Sequence, residues 1–372
     1  MTSFEILGLG TALPEHSISQ HGAAIFATTC VAPDSDQSHS RSAVIQALYR
    51  RAGVQTRHSV LLESSSEGEA TAERFYRYAS SADDRGPSTS ERMCRYEAEA
   101  PRLAARAAAA ALADGQVAAS CVTHLITVSC SGFSAPGVDL FLMRELGLVS
   151  HVSRTHVGFM GCHGALNALR VAQAFAAADP DSVVLICAVE LCTLHHQYGW
   201  DPGRIVANSL FADGAAAVAG HAHSGTGDGN PGPGRLVASA SHVIPDTAEM
   251  MTWNVRNSGF EMSLSPEVPG IITRFLPRVL AEFLAQHQLT PSDICSWGIH
   301  PGGPRILSAA AEAAGLSEIQ LEPSASVLRR FGNMSSPTIL FILRDLRLAG
   351  APAPCVLLGF GPGLNVEMAL LK

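Results

Sequence analysis

The chain has 372 residues, 47% of them hydrophobic and 16% charged, with a formal net charge of −8 and a mean hydropathy of +0.18. That length holds two ordinary domains or one large duplicated one, and the acidic balance excludes a general attraction to nucleic acid or anionic membranes. No apolar run approaches the roughly 18 residues that mark a membrane span, and so apolar a composition implies a surface partly covered by a second subunit.

In chain order, MTSFEILGLGTALPEH lacks the basic and apolar regions of a signal peptide and is not expected to be one. FEILGLG within it reads as a strand. Residues 95–115 read as an alanine-rich helix with proline near its first turns and a terminal glycine. HLITVSCSG (124–132) is strand and turn, VVLICAVEL (183–191) an almost wholly apolar strand, and FADGAAAVAG (211–220) a strand of small residues. Continuous apolar strands between helices predict a sheet covered on both faces. Residues 221–235, HAHSGTGDGNPGPGR, carry no periodicity and read as a connecting loop. They divide the chain into an N-terminal half, 1–220, and a C-terminal half, 236–372. After the loop the rhythm repeats: CSWGIHPGG is similar in form to HLITVSCSG, FGNMSSPTILFILRDL to FMGCHGALNALRVAQA, and CVLLGFGPG to VVLICAVEL. Three matched elements predict a duplicated architecture. The nine cysteines include no CxxC pair, which predicts reduced thiols in a cytoplasmic protein and neither a zinc cage nor a disulfide framework.

One stretch, GFMGCHGALNALRVAQAF (158–175), puts Cys162 among Gly158, Gly161 and Gly164, just before Ala165, Ala168, Leu169, Ala172 and Ala176 recur at helical spacing. A thiol there lies at or next to a helix N-terminus, where the dipole favours a thiolate. A cysteine nucleophile also needs a proton acceptor and donors for the oxyanion it creates. The second half offers His300, held by Pro301-Gly302-Gly303, and Asn333 in Gly332-Asn333-Met334. The His195–His196 pair near Cys192 is not expected to bind a metal, because neighbours on a strand point to opposite faces.

Five motifs occur in order: Gly161-Cys162 before a helix, Leu210-Phe211-Ala212-Asp213-Gly214-Ala215-Ala216, His300-Pro301-Gly302-Gly303-Pro304, Gly332-Asn333-Met334-Ser335-Ser336 and Gly359-Phe360-Gly361-Pro362-Gly363. With them the sequence resembles, over nearly its whole length, the type III polyketide synthases of the chalcone synthase superfamily. The resemblance implies an α/β thiolase-like fold of five layers, α/β/α/β/α, built from two duplicated halves and assembled as a homodimer. It implies Cys162 as the nucleophile carrying the acyl and polyketide chain. His300 is then the imidazolium partner of the thiolate, and His300 with Asn333 binds the thioester oxygen while malonyl-CoA loses carbon dioxide. Phe211 matches a gatekeeping phenylalanine, and Gly359, Phe360, Gly361, Pro362 and Gly363 match a loop that shapes the cavity floor. Cys130, Ala135, His195, Trp253, Met262 and Ser335 fall in the cavity wall. Arg51 matches a basic residue for the CoA phosphates, with Arg50 beside it and Arg305 next to the His-Pro-Gly-Gly-Pro turn; other basic positions of that site fall on Val44 and Ala47. Malonyl-CoA and an acyl-CoA starter are the implied substrates, with no metal or nicotinamide cofactor.

Plant chalcone synthases usually have threonine, glycine and phenylalanine where His195, Trp253 and Met262 stand, so a different cavity is expected. DTAEMMTWNVRNSGFEMSLS (246–265) is more similar to bacterial enzymes making alkylpyrones or alkylresorcinols from fatty acyl starters. Small residues at Cys130, Ala135 and Ser335 are expected to open a side channel for an alkyl chain. The alternatives are an enzyme primed by malonyl-CoA alone, giving a small aromatic such as tetrahydroxynaphthalene whose carbonyls His195 would bind; a ketoacyl synthase of fatty-acid initiation working on a carrier protein; and a non-catalytic thiolase-like scaffold.

Overall fold

The computed structural model describes residues 3–32, 38–64, 70–72, 75–223 and 232–372. The chain opens with β1 (Ser3–Ala12), β2 (Ser17–Ser19), α1 (Gln20–Thr29), α2 (Ser38–Arg51) and the short strands β3 (Thr56–His58), β4 (Leu62–Ser64) and β5 (Ala70–Ala72). Strands and helices then alternate: α3 (Thr89–Asp114), β6 (His124–Ser129), α4 (Val138–Leu146), β7 (Ser153–Gly158), α5 (Gly164–Ala178), β8 (Val183–Leu191), α6 (Pro202–Leu210) and β9 (Asp213–His223). The remainder comprises β10 (Arg235–Val243), the hairpin β11 (Met251–Arg256) and β12 (Gly259–Leu264), α7 (Val268–Ala285), β13 (Ser296–Ile299), α8 (Pro304–Ala314), α9 (Glu318–Phe331), α10 (Thr338–Leu348), β14 (Cys355–Gly361) and β15 (Asn365–Leu371).

Nine strands form one mixed sheet in the order β13-β14-β15-β10-β1-β9-β8-β6-β7. Its two wings are joined in the sheet where β1 pairs with β10, at Phe4 with Leu236 and Glu5 with Arg235. In one wing β6 runs parallel to β8, and in the other β13 runs parallel to β14.

The layers follow from the two-residue period of the strands. Along β8, Val184, Ile186 and Ala188 enter an inner core with α5 and α10, while Leu185, Cys187, Val189 and Leu191 enter an outer core with α3. Along β14, Leu357 faces the same inner core, whereas Val356, Leu358 and Phe360 join α7 and α8 in a third core. The stack is therefore α3, one wing, α5 with α10, the other wing, and α7 with α8. This is the five-layer thiolase-like fold, and β8 and β14 are buried along nearly their whole length because helices cover both faces.

Two boundaries differ from the sequence reading. α3 begins at Thr89, where Ser88 and Glu91 make a reciprocal capping box, so Pro101 lies inside the helix rather than in its first turns. β9 continues to His223, because His221 and His223 reach Glu5 on β1 at 3.2 and 2.8 Å. The first three residues of the expected 221–235 loop are thus strand, β10 takes up Arg235, and 224–231 lie outside the described residues.

Candidate active site

Between β7 and α5 the segment Gly161–His163 makes a single tight turn. Gly161 has φ +71°, and a Cβ there would lie 2.6 Å from Pro362 Cδ. The turn carrying Cys162 therefore closes against the Gly-Phe-Gly-Pro-Gly segment of the other wing. Two more elements converge on it. Asn333 is pinned by its own N–H donating to Leu210 O and its carbonyl accepting from Ala212 N, both at 2.9 Å. Ser335, at φ +58°, donates its N–H to Asn333 Oδ1 at 2.8 Å, which leaves the Asn333 amide nitrogen for the thiol.

Cys162 is 8% exposed, and the side chains of Ser335 and Asn333 both hydrogen-bond its thiol. Burial nevertheless dominates and pushes the thiol up to about 11, with Glu190 adding to the rise and the two hydrogen bonds opposing it. His300 follows β13, its N–H donating to Leu358 O at 2.8 Å. Its ring is 1% exposed, and neither nitrogen has a hydrogen-bond partner among the described residues. Burial brings this imidazole down to about 3. Burial thus works against both charged forms of a thiolate–imidazolium pair, opposite to the helix-dipole argument. Desolvation of a charged form outweighs a helix end.

The sequence reading missed Glu190. Its carboxylate, at the end of β8, is fully buried. Oε2 accepts from Ser131 Oγ at 2.6 Å and from Ser131 N and Cys130 N at 2.9 Å, while Oε1 accepts from Ser336 Oγ at 2.6 Å. Glu190 so clamps the turn after β6 to the turn bearing Ser335, beside Cys162. A lone acid in the otherwise apolar VVLICAVEL was the available signal.

The cavity at Cys162 is bordered by Cys130, Cys192, Phe211, Trp253, Met262, Ser335 and Pro362. Trp253 and Met262 face each other across β11–β12. A larger cavity lies beyond them, sharing Cys192, Phe211, Trp253 and Met262 and continuing along Phe26, Leu61, Tyr76, Ala207 and Phe260. His195 also borders it, but its ring is fixed. Nε2–H donates to Ser131 O at 2.6 Å and Nδ1 accepts from Phe260 N at 2.9 Å, with burial bringing the group down to about 3. The pair His195–His196 lies at a helical turn, not on a strand. Among the described residues no cluster of three or more His, Cys, Asp or Glu could hold a metal ion.

Some expected wall residues lie elsewhere. Ala135 is exposed on the loop between β6 and α4. Phe360 points away from the cavity into the α7–α8 core, on the same face of β14 as Val356 and Leu358. Gly359 and Gly361 belong to β14, Gly363 follows it with φ +128°, and of this segment Pro362 alone borders the Cys162 cavity. Arg50 and Arg51 close α2, and Arg305 opens α8; all three are exposed and form no ion pair among the described residues. The two helix ends meet, since a Cβ on Gly53 would lie 2.9 Å from Pro304 Cγ.

A cysteine at a tight turn between the wings of a thiolase-like fold, with an asparagine donor on the thiol and a buried histidine from the other wing, defines a condensing acyltransferase. The comparisons narrow the class. The N-terminal domain of chalcone and stilbene synthases matches residues 2–223 and the C-terminal domain matches 235–372. The chain is 31% identical to 1,3,6,8-tetrahydroxynaphthalene synthase of Streptomyces peucetius subsp. caesius, over 99% of this chain and 92% of that one. It is 34% identical to an alpha-pyrone synthesis polyketide synthase-like protein of Mycobacterium tuberculosis, over 74% and 72%. The crystal structure of PKS-I from the brown alga Ectocarpus siliculosus superposes with a TM-score of 0.91 at 27% identity, covering 100% of this chain and 98% of the other. The chain belongs to the chalcone and stilbene synthase family. It is a type III polyketide synthase acting on malonyl-CoA and acyl-CoA, which separates it from the ketoacyl synthases of fatty-acid initiation. Among the described residues no helix is long and apolar enough to cross a membrane.

Proposed function

We propose that this enzyme loads a medium-to-long fatty acyl group on Cys162, extends it with malonyl-CoA and releases a cyclised pyrone or resorcinol-type product. The observation that carries the starter class is the second cavity, which adjoins that of Cys162 across the shared side chains Phe211, Trp253 and Met262 and is lined mainly by apolar side chains. It runs toward Phe26 and Tyr76, not along Ala135. An alkyl chain gains about 0.8 kcal/mol per buried CH₂ in such a space.

The residues act in the following order. His300 takes the Cys162 proton as the sulfur attacks the starter thioester, and it returns that proton to the departing CoA thiolate. Malonyl-CoA then binds with its thioester oxygen toward Asn333 and His300. The C–CO₂ bond breaks, its electron pair forms the enolate, and the enolate carbon attacks the acyl carbon on Cys162. A new C–C bond forms and the Cys162 thiolate leaves. The water-poor cavity strengthens both oxyanion donors. Phe211 separates the CoA entrance from the reaction cavity, and Arg50, Arg51 and Arg305 receive the CoA phosphates. No metal or nicotinamide takes part.

The working form is a cytoplasmic homodimer. Phe133, Leu140, Phe159 and Met160 are large exposed apolar residues, with the Phe133 and Phe159 rings 6.0 Å apart, and a subunit contact would cover them.

The tetrahydroxynaphthalene synthase relative, matched over 99% of this chain, favours a second reading in which malonyl-CoA alone primes the enzyme. The fixed ring of His195 weighs against it, because both nitrogens are already engaged. Product masses from malonyl-CoA with starters from acetyl to stearoyl test the choice. Triketide or tetraketide pyrones or resorcinols from fatty starters support the proposal, and turnover of malonyl-CoA alone, unaffected by fatty starters, overturns it.

A further inference from the structure

His163 directly follows the nucleophile and is 1% exposed, yet the steps above do not use it. Its Nδ1 lies 2.7 Å from Asn167 Oδ1. Asn167 Nδ2 donates to Glu367 Oε1 at 3.0 Å, so the oxygen is the end turned to His163 and Nδ1 carries the hydrogen. Glu367, itself 1% exposed, also accepts from Asn365 Nδ2 at 2.9 Å, and its Oε2 pairs with Arg170 at 2.8 Å. A carboxylate–amide–imidazole array therefore runs from α5 and β15 to the turn bearing Cys162. At its inner end Gly361 makes room for the ring: a Cβ there would lie 2.2 Å from His163 Cδ2 and 2.7 Å from Nε2. Nε2 is the atom left to titrate.

The charged or titratable groups around His163 are Glu367 from β15, Arg170 from α5, Cys162 on its own turn and His300 from the end of β13. The adjoining stretch of β14 is Gly-Phe-Gly and brings none. His163 has a carboxylate one amide away, while His300 has no hydrogen-bond partner among the described residues. Two imidazoles in one dry site do not readily carry charge together.

We propose that His163 is a positioning residue that takes the site's first proton on acidification, and that its charge then stops His300 from accepting the proton of Cys162. The proposal rests on the reading of Cys162 and His300 as a thiol–base pair. Burial lowers the proton affinity of both rings; the Asn167 hydrogen bond and Glu367 draw that of His163 back up against a smaller opposing effect of Arg170, and His163 lowers that of His300 further.

The test is the pH dependence of Cys162 alkylation by iodoacetamide, followed by peptide mass, in the wild type and in His163→Gln, Glu367→Gln and His300→Ala. His163→Gln removes the competing base, and the near-isosteric Glu367→Gln weakens it while keeping hydrogen-bond acceptance. Both are expected to move the acid midpoint down by about one pH unit. An acid midpoint unchanged in both, with or without a lower plateau, overturns the proposal and leaves His163 a structural role. If His300→Ala reproduces the wild-type profile, the thiol–base reading itself fails, and the proposal falls with it.

Discussion

Trp253 donates its indole N–H to the carbonyl of Cys130 at 2.7 Å, tying the β11–β12 hairpin to the turn that Glu190 clamps. The indole is thereby held as a wall between the Cys162 cavity and the larger apolar cavity, stacked edge-on against His195 and Phe260. Removing it joins the two spaces. Trp253→Gly is expected to shift kcat/KM toward starters several carbons longer. Trp253→Phe, which keeps bulk but loses the hydrogen bond, should blur chain-length selection without extending it. A kcat/KM series over acyl-CoA length measures both.

Asn333 has its side-chain oxygen engaged by Ser335 N and its amide nitrogen free for the thiol and the substrate oxygen. Asn333→Ala should therefore retain the fold and lose on the order of 100- to 1000-fold in malonyl-CoA decarboxylation. Carbon dioxide release read beside a circular dichroism spectrum checks it; decarboxylation at the wild-type rate removes Asn333 from the oxyanion site.

The covered strands were legible in the sequence because they are written in local pattern, whereas the pairing of Cys162 with Asn333 was drawn from the order of the five motifs and the family they resemble. The contact of β1 with β10 spans two residue pairs and left no pattern to read. Trp253 finds its partner 123 residues away, which no periodicity reports. Other points were legible but unread. The Ser88–Glu91 spacing announces the start of α3. Phe360 shares parity with Val356 and Leu358, which sends it to the outer core. The burial that raises Cys162 and lowers His300 is a property of the assembled layers alone.

Asp213, fully buried at the start of β9, accepts from Thr193 N, Thr193 Oγ1 and Val60 N at 2.8, 2.7 and 3.0 Å. Burial still pushes its carboxyl from 3.8 up to about 6. A carboxyl raised by folding binds more protons in the native state, so its contribution favours folding below pH 4 and is lost as pH rises to about 6. The loss is about 3 kcal/mol. Urea unfolding of wild type and Asp213→Asn at pH 4 and pH 6 isolates it. The variant should lack that component of the pH slope, and parallel slopes contradict it.

The exposed aromatics Phe133 and Phe159 are expected to be covered in the dimer. Sedimentation at micromolar concentration should find wild type dimeric and Phe159→Glu shifted toward monomer, because a charge buried at a subunit contact without a partner is strongly unfavourable. A monomeric wild type contradicts the assembly.

The most direct measurement is the intact mass of the enzyme after incubation, without malonyl-CoA, with an equimolar mixture of acetyl-, hexanoyl-, dodecanoyl- and stearoyl-CoA, followed by mapping of the acylated peptide. The account predicts a fatty acyl adduct on Cys162 that outcompetes acetyl and is absent from Cys162→Ala. An enzyme that takes no fatty acyl group on Cys162, while malonyl-CoA alone supplied afterwards yields product, would contradict it.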